Sequence, residues 1–310
     1  MSVEVGSATA RPSADALLTL LRSLVAERGG DDAWSTVVDD AWCHVTPVGQ
    51  AIRPQGWKLH VSATLGSAPA VLAGALPVLL DEGCAFKFAA TDEVVSQLNS
   101  ARAPRASSGK FLTAYPAADE DLPRLAERLH RATEGLDGPR ILSDRAYVAG
   151  SLVHYRYGAF VDRRVLSNDG IYRRVIVDPD GRLVDDRREP RFAPPAWARS
   201  PFPDTAGESA PRRADHEPRE ILLAERFAVR QAIQHANKGG VYRAVDTTDG
   251  SDVVIKEARP HVQTSRQHRD VRDVLRSEAR LLEILGPLGL APRLVDVFDQ
   301  GGHVFLVEEF

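Results

Sequence analysis

The chain has 310 residues, enough for two domains that each bury a core, and its 43% hydrophobic and 26% charged residues are ordinary for a globular protein. A formal net charge of -4 excludes the global basic field of a nucleic-acid binder, so any anion site has to be local. Two cysteines, Cys43 and Cys84, exclude a disulfide scaffold and lack metal-ligand spacing; two reduced thiols are expected.

Met1 to Pro12 is polar and carries no signal-peptide core. Ser13 precedes a helical pattern with Leu17, Leu18, Leu21, Leu24 and Val25 on one face, closed by Gly29-Gly30. Trp42 to Thr46 reads as a strand. In the next strand Trp57, Leu59 and Val61 alternate with Lys58, His60 and Ser62, so one face is apolar and the other holds a lysine and a histidine. Pro69 to Leu80 is a helix, and the apolar stretch Ala70 to Leu80, broken by Pro77, is too short to span a membrane. A cytoplasmic protein without membrane contact is the expectation. Cys84 to Ala89 is a strand with Lys87 between Phe86 and Phe88, and Val94 to Asn99 is helical. Arg102 to Gly109 forms a basic loop before the strand Phe111 to Tyr115. A helix from Asp119 to Thr133 ends near Gly135, and Leu152 to Phe160 is a further strand. Arg163 to Asp169 is polar, and Arg173 to Val184 is a hairpin turning at Asp178-Pro179-Asp180-Gly181. Pro190 to Pro218 has no period and is a linker or an arm lying on a domain surface. From about Ile221 come short strands, a helix from Asp270 to Leu285 and two more strands. The boundaries this gives are 1–200 for a first domain, 201–220 for a linker and 221–310 for a second domain.

Lysine stands only at positions 58, 87, 110, 238 and 256, while arginine supplies the rest of the 39 basic residues. Arginine cannot release its proton near neutral pH, whereas lysine can, so each lysine in this chain is a candidate for chemistry that needs a neutral amine. Lys58, His60, Lys87, Arg105, Arg156 and Arg163 sit on elements that could converge, several between apolar neighbours. Any one alone is more often a solvated charge; as a set they fit a cleft. Lys110 is the less favoured seventh cation, and His44, His130 and His154 have no partner pattern.

The run Trp57-Lys58-Leu59-His60-Val61-Ser62, then Phe86-Lys87-Phe88, Arg105 ahead of Gly109-Lys110-Phe111-Leu112-Thr113-Ala114-Tyr115, and Tyr155-Arg156-Tyr157 resembles the phosphothreonine lyases of bacterial effectors. It is still more similar to the N-terminal lyase domain of class III and class IV lanthipeptide synthetases. The hairpin at Asp178-Gly181 and Pro195-Ala196-Trp197 are shared only with the synthetases. The resemblance implies an α+β fold, a twisted and mainly antiparallel sheet flanked by helices. It also implies β-elimination of phosphate from phosphoserine or phosphothreonine of a precursor peptide, giving dehydroalanine or dehydrobutyrine. Lys87 would be the base, His60 the acid, and Lys58, Arg105, Arg156 and Arg163 the phosphate ligands, with no cofactor.

From Ile221 the sequence resembles a protein kinase N-lobe, a small sheet plus one helix. Val253-Val254-Ile255-Lys256 matches the strand whose lysine contacts ATP phosphates, Glu278 is its partner, and Glu308 lies where the hinge begins. The glycine loop keeps only Gly239, with an added Gly240; its other two positions hold Gln234 and Ala236. No catalytic loop or magnesium ligand follows, so the expectation is an incomplete lobe. The full-length enzyme would add a kinase C-lobe and a cyclase, and use ATP or GTP with Mg. The competing readings are a non-catalytic phosphopeptide-binding module and a regulatory scaffold.

Overall fold

The computed structural model describes residues 14–202 and 221–310. Ser13, and all but the first two residues of the expected linker 201–220, lie outside them. The first unit runs α1 (Ala14–Ala26), α2 (Gly30–Ala33), β1 (Trp34–Val38), β2 (Trp42–Pro47), β3 (Gln55–Val61), α3 (Ala68–Asp81), β4 (Ala85–Ala89), α4 (Asp92–Leu98), β5 (Leu112–Tyr115), α5 (Leu122–Thr133), β6 (Arg145–Ala146), β7 (Val153–Ala159), β8 (Arg164–Leu166), β9 (Tyr172–Val177) and β10 (Leu183–Asp185). The second runs β11 (Ile221–Leu223), β12 (Phe227–Ala236), β13 (Gly239–Asp246), β14 (Asp252–Ala258), α6 (Val271–Leu285), β15 (Leu294–Gln300) and β16 (His303–Glu309). The class is α+β.

Among the described residues the first unit holds a seven-stranded sheet of order β1-β2-β4-β5-β3-β7-β6, and every pairing in it is antiparallel. The period-two alternation of the strands decides the two faces. Trp57, Leu59, Val61, Phe86, Phe88, Leu112 and Ala114 point to one face, where they bury with residues of α1, α3 and α5 in a single apolar cluster. The intervening residues, with Lys58, His60, Lys87 and Thr113 among them, face the other way.

Two features were not legible as expected. Trp34–Val38 is an edge strand, with only Trp34 buried, so its sequence shows no alternation to read. Arg164–Leu166 is also a strand; it joins β9 and β10 in a separate three-stranded sheet. Gln55 ties that sheet to the main one, donating from Nε2 to the Val177 carbonyl at 2.7 Å and accepting from Val177 N–H at 2.6 Å. From Phe192 to Phe202 the chain lies as an arm on the apolar face. Phe192 stacks on Trp57 with ring centroids 6.4 Å apart, Phe202 lies 4.4 Å from Tyr155, and Trp57 Nε1 donates to the Arg199 carbonyl at 2.8 Å.

The second unit is a six-stranded sheet of order β11-β12-β13-β14-β16-β15 with α6 packed on one side. Asp270 starts α6 with a capping box, its carboxylate bonded to the backbone while the Asp273 carboxylate accepts from Asp270 N–H at 2.9 Å. Both cysteines are buried and free. No described helix is long and apolar enough to cross a membrane.

Candidate functional site

Strand register builds the site. Lys87 on β4 lies opposite Thr113 on β5, and Thr113 opposite His60 on β3. Three side chains on one row of adjacent strands therefore share a face, and Lys87 and His60 stand two strand spacings, roughly 10 Å, apart at the backbone. Lys58, two residues before His60, is opposite Arg156 on β7. The cleft over this face has a volume of about 350 Å³. Lys58, His60, Lys87 and Arg156 all line it, as do Lys110, Arg174 and Arg188, with Asp162 and Asp186.

Six cationic side chains thus face two carboxylates across a confined space. Lys58 donates to the Ala159 carbonyl at 2.6 Å, and Arg156 to the Arg187 carbonyl at 2.7 Å. Asp186 lies 4.0 Å from Arg156 and 3.9 Å from Arg188. Lys87 rests its ammonium 4.1 Å from the centroid of Trp42.

Electrostatics distinguishes these groups. Burial, then the neighbouring Lys110, Arg156 and Arg188, depress the Lys58 amine to about 7, with Asp186 opposing. The Lys87 amine is also lowered, first by burial and then by Arg188, against Asp39 and Asp162. Burial lowers Lys110 as well, with Asp144 acting the other way. Crowded cations in a low-dielectric pocket release protons more readily, and an arriving dianion reverses that.

Behind His60 is a carboxylate that sequence reasoning missed. Asp144 Oδ2 lies 2.5 Å from His60 Nδ1, and its Oδ1 is 2.9 Å from Lys110 Nζ and accepts from Ser143 Oγ at 2.8 Å. Its side chain has no exposure. Burial would raise Asp144, but Lys110 and His60 override that and hold it ionised, well below the usual carboxylate range. An ionised acceptor on Nδ1 requires that nitrogen to carry the proton, so it leaves Nε2 as the titrating one. Without a ligand, burial and then Lys110 keep His60 neutral, at about 3, despite Asp144.

Two expected ligands are not in the cleft. Arg163, just before β8, is exposed and does not line it. Arg105 is half-buried against the second unit, where its charge acts on Tyr242 and Arg259. Arg174 and Arg188 take their places in the lining. Both belong to the hairpin and its continuation, and only folding the small sheet over the large one brings them in. Lys110, the least favoured cation in the sequence, is nine-tenths buried and central.

In the second unit Lys256 Nζ sits between Glu278 Oε1 at 2.7 Å and Glu308 Oε1 at 2.8 Å. The Lys256–Glu278 pair stands as the sequence suggested. Glu308, expected where the hinge begins, turns its side chain onto the same lysine. The two carboxylates raise Lys256 although burial opposes them. Gly239 and Gly240 serve packing: a Cβ on the first would lie 2.1 Å from the Glu257 carbonyl oxygen, and on the second 2.2 Å from the Tyr242 ring.

An antiparallel sheet with helices on one face and, on the other, a cleft of lysines, arginines and a carboxylate-held histidine defines an α+β protein whose cleft carries the charge and donors that suit an oxyanion. Residues 22–214 match the family described as RamC, N-terminal domain, and the chain belongs to that family. It is also 37% identical over 281 residues to the probable SapB synthase of Streptomyces coelicolor (strain ATCC BAA-471 / A3(2) / M145). That alignment covers 90% of this chain and 29% of the relative, so the chain spans less than a third of that protein's length. Both findings support the lanthipeptide synthetase resemblance.

Proposed function

We propose that the first unit is the lyase part of a lanthipeptide synthetase, eliminating phosphate from phosphoserine or phosphothreonine in a precursor peptide. The observation that carries this reading is the row Lys87–Thr113–His60 in a cleft lined by five further cations. An amine that can be neutral and an imidazole that can be charged flank a space suited to a phosphate ester, a pairing that simple binding does not require.

In the reaction the Lys87 amine takes the Cα proton, the Cα–H pair forms the Cα–Cβ double bond, and the Cβ–O bond breaks. The departing phosphate takes a proton from His60 Nε2. Lys58, Lys110, Arg156, Arg174 and Arg188 hold the phosphate oxygens, and the arginines add bidentate geometry. The neutral resting state of His60 is no obstacle. A phosphate dianion beside the ring raises its affinity for a proton, and a substrate arriving as the monoanion brings one. Asp144 orients the ring and stabilises the imidazolium. The Lys58 amine, depressed to about 7, is a second candidate for the base. Its bond to the Ala159 carbonyl and its place opposite Arg156 favour a phosphate contact instead.

The second unit we read as a kinase-like N-lobe. Lys256 and Glu278 fit the contact with nucleotide phosphates; the glycine hairpin does not fit a phosphate cradle, since its glycines are taken up by packing. ATP or GTP and Mg, a kinase C-lobe and a cyclase are assigned to the longer protein.

Incubating the chain with a phosphothreonine peptide and measuring released inorganic phosphate tests the reading. Release that Lys87→Ala abolishes supports it; tight binding with no release would favour the phosphopeptide-binding alternative.

A further inference from the structure

The segment between α4 and β5 has two sides. Leu98, Ala106, Ser107 and Lys110 line the cation cleft. The backbone just before them is held by the second unit. Lys238 N–H donates to the Ala101 carbonyl at 3.2 Å, Asn237 Nδ2 to the Ser100 carbonyl at 2.8 Å, and Gln263 N–H to the Asn99 carbonyl at 2.7 Å. Asn237 and Lys238 form the tip of the β12–β13 hairpin, where a kinase-like lobe would carry its glycine loop. Arg259 fixes that tip. It is 5% exposed and donates to the Asn237 carbonyl at 2.9 Å, to Asn237 Oδ1 at 3.2 Å and to the Arg140 carbonyl of the first unit at 2.6 Å.

A guanidinium this buried is costly, and burial lowers its proton affinity. The cost is offset only while all three acceptors stay in place, so the joint has one favoured geometry. Within the first unit the wall is tied at its two ends, by Asn99 Nδ2 to the Ala63 carbonyl at 2.7 Å, Gly109 N–H to the Leu98 carbonyl at 3.0 Å and Lys110 to Asp144 at 2.9 Å, and only lightly between them. Pro104 and Ser107 make turn bonds, and Ser143 Oγ reaches the Ala106 carbonyl at 3.3 Å, a weak tie.

We propose that the tip of the β12–β13 hairpin and Arg259 act as a clamp that positions the 99–110 wall of the phosphate cleft. Asn237 and Arg259 are then positioning residues for the first unit's reaction, although they touch no substrate. This rests on the lyase reading for its kinetic consequence, but the clamp is measurable without it.

The test uses the full chain with Arg259→Met and Asn237→Ala, and Arg266→Ala as a control. Arg266 pairs with Asp92 at an exposed part of the same joint, away from the wall. Hydrogen exchange at 99–108, phosphothreonine-peptide binding and phosphate release are followed together. Arg259→Met is expected to speed exchange in that segment and to weaken binding about tenfold, with KM rising more than kcat falls. Asn237→Ala, which loses one bond and is the milder test if Arg259→Met fails to fold, moves each readout the same way by about threefold. Arg266→Ala leaves all three unchanged. Wild-type exchange and affinity in Asn237→Ala and in a folded Arg259→Met would overturn the clamp. If the parent chain releases no phosphate, the lyase reading fails, and exchange and binding still decide the clamp.

Discussion

Replacing Asp144 by Asn separates catalysis from folding at this site. The substitution keeps shape and removes one charge from a fully buried position that faces His60, Lys110 and Ser143. The single amide oxygen is drawn to the Lys110 ammonium, which can only donate, and this turns the NH2 towards His60 Nδ1, so the ring either loses its partner or adopts the other tautomer, which puts the proton on the wrong nitrogen. A wrong tautomer at a histidine acid–base costs on the order of 10²–10⁴ in kcat. Lys110 is left as a buried ammonium without its counter-charge, and breaking such a pair costs about 3–5 kcal/mol of stability. The added Lys110→Met removes that stranded charge, so Asp144→Asn/Lys110→Met regains most of the stability while kcat stays low. Urea denaturation and phosphate-release kinetics on the two variants measure both quantities. An Asp144→Asn protein with kcat within threefold of the parent would refute the positioning role.

Further predictions separate the other cations. Lys87→Arg keeps a positive charge but cannot accept a proton, so phosphate release should fall by at least about 10³, whereas Lys58→Arg keeps most of kcat and shifts KM. The reverse ranking in steady-state kinetics would move the base to Lys58. Arg188→Ala should raise KM for the phosphopeptide about tenfold or more, and Arg163→Ala should leave it within about twofold, as their places inside and outside the cleft require. His60 should remain neutral from neutral pH down towards its resting value of about 3. Phosphate binding should move its titration upward, so phosphate binds more tightly as pH falls, with proton uptake. Ring-proton NMR across pH, with and without inorganic phosphate, checks this; an unchanged His60 titration would contradict the dianion contact.

Much of the site was legible because period-two alternation puts Lys58 and His60 on one face whatever the tertiary context, and apolar flanks mark the cleft side of Lys87. Chain-order reading could not pair β3 with β5 and β7, or β4 with β2 and β5, and that order brings the row together. Asp144 lies in an irregular stretch where no periodicity distinguishes a buried carboxylate from a loop residue. The Ser143-Asp144 pair carries no signal until His60 is known to be its neighbour. Arg105 illustrates the opposite failure. A basic residue in a loop near the cleft looks like a ligand, but the loop's other side belongs to the second unit. Arg174 and Arg188 read as ordinary hairpin charges, since the ties that fold that hairpin over the cleft, Gln55 to Val177 and Arg156 to the Arg187 carbonyl among them, are long-range.

The central claim is that phosphate leaves by elimination. Mass spectrometry of a phosphothreonine peptide after incubation with the full chain tests it most directly, with a thiol added afterwards to capture any unsaturated residue. The account predicts loss of the whole phosphoric acid, a product lighter by one water than the dephosphorylated peptide and reactive toward the thiol, and neither change with Lys87→Ala. A peptide returned with its phosphate intact, or hydrolysed to threonine that ignores the thiol, would contradict it.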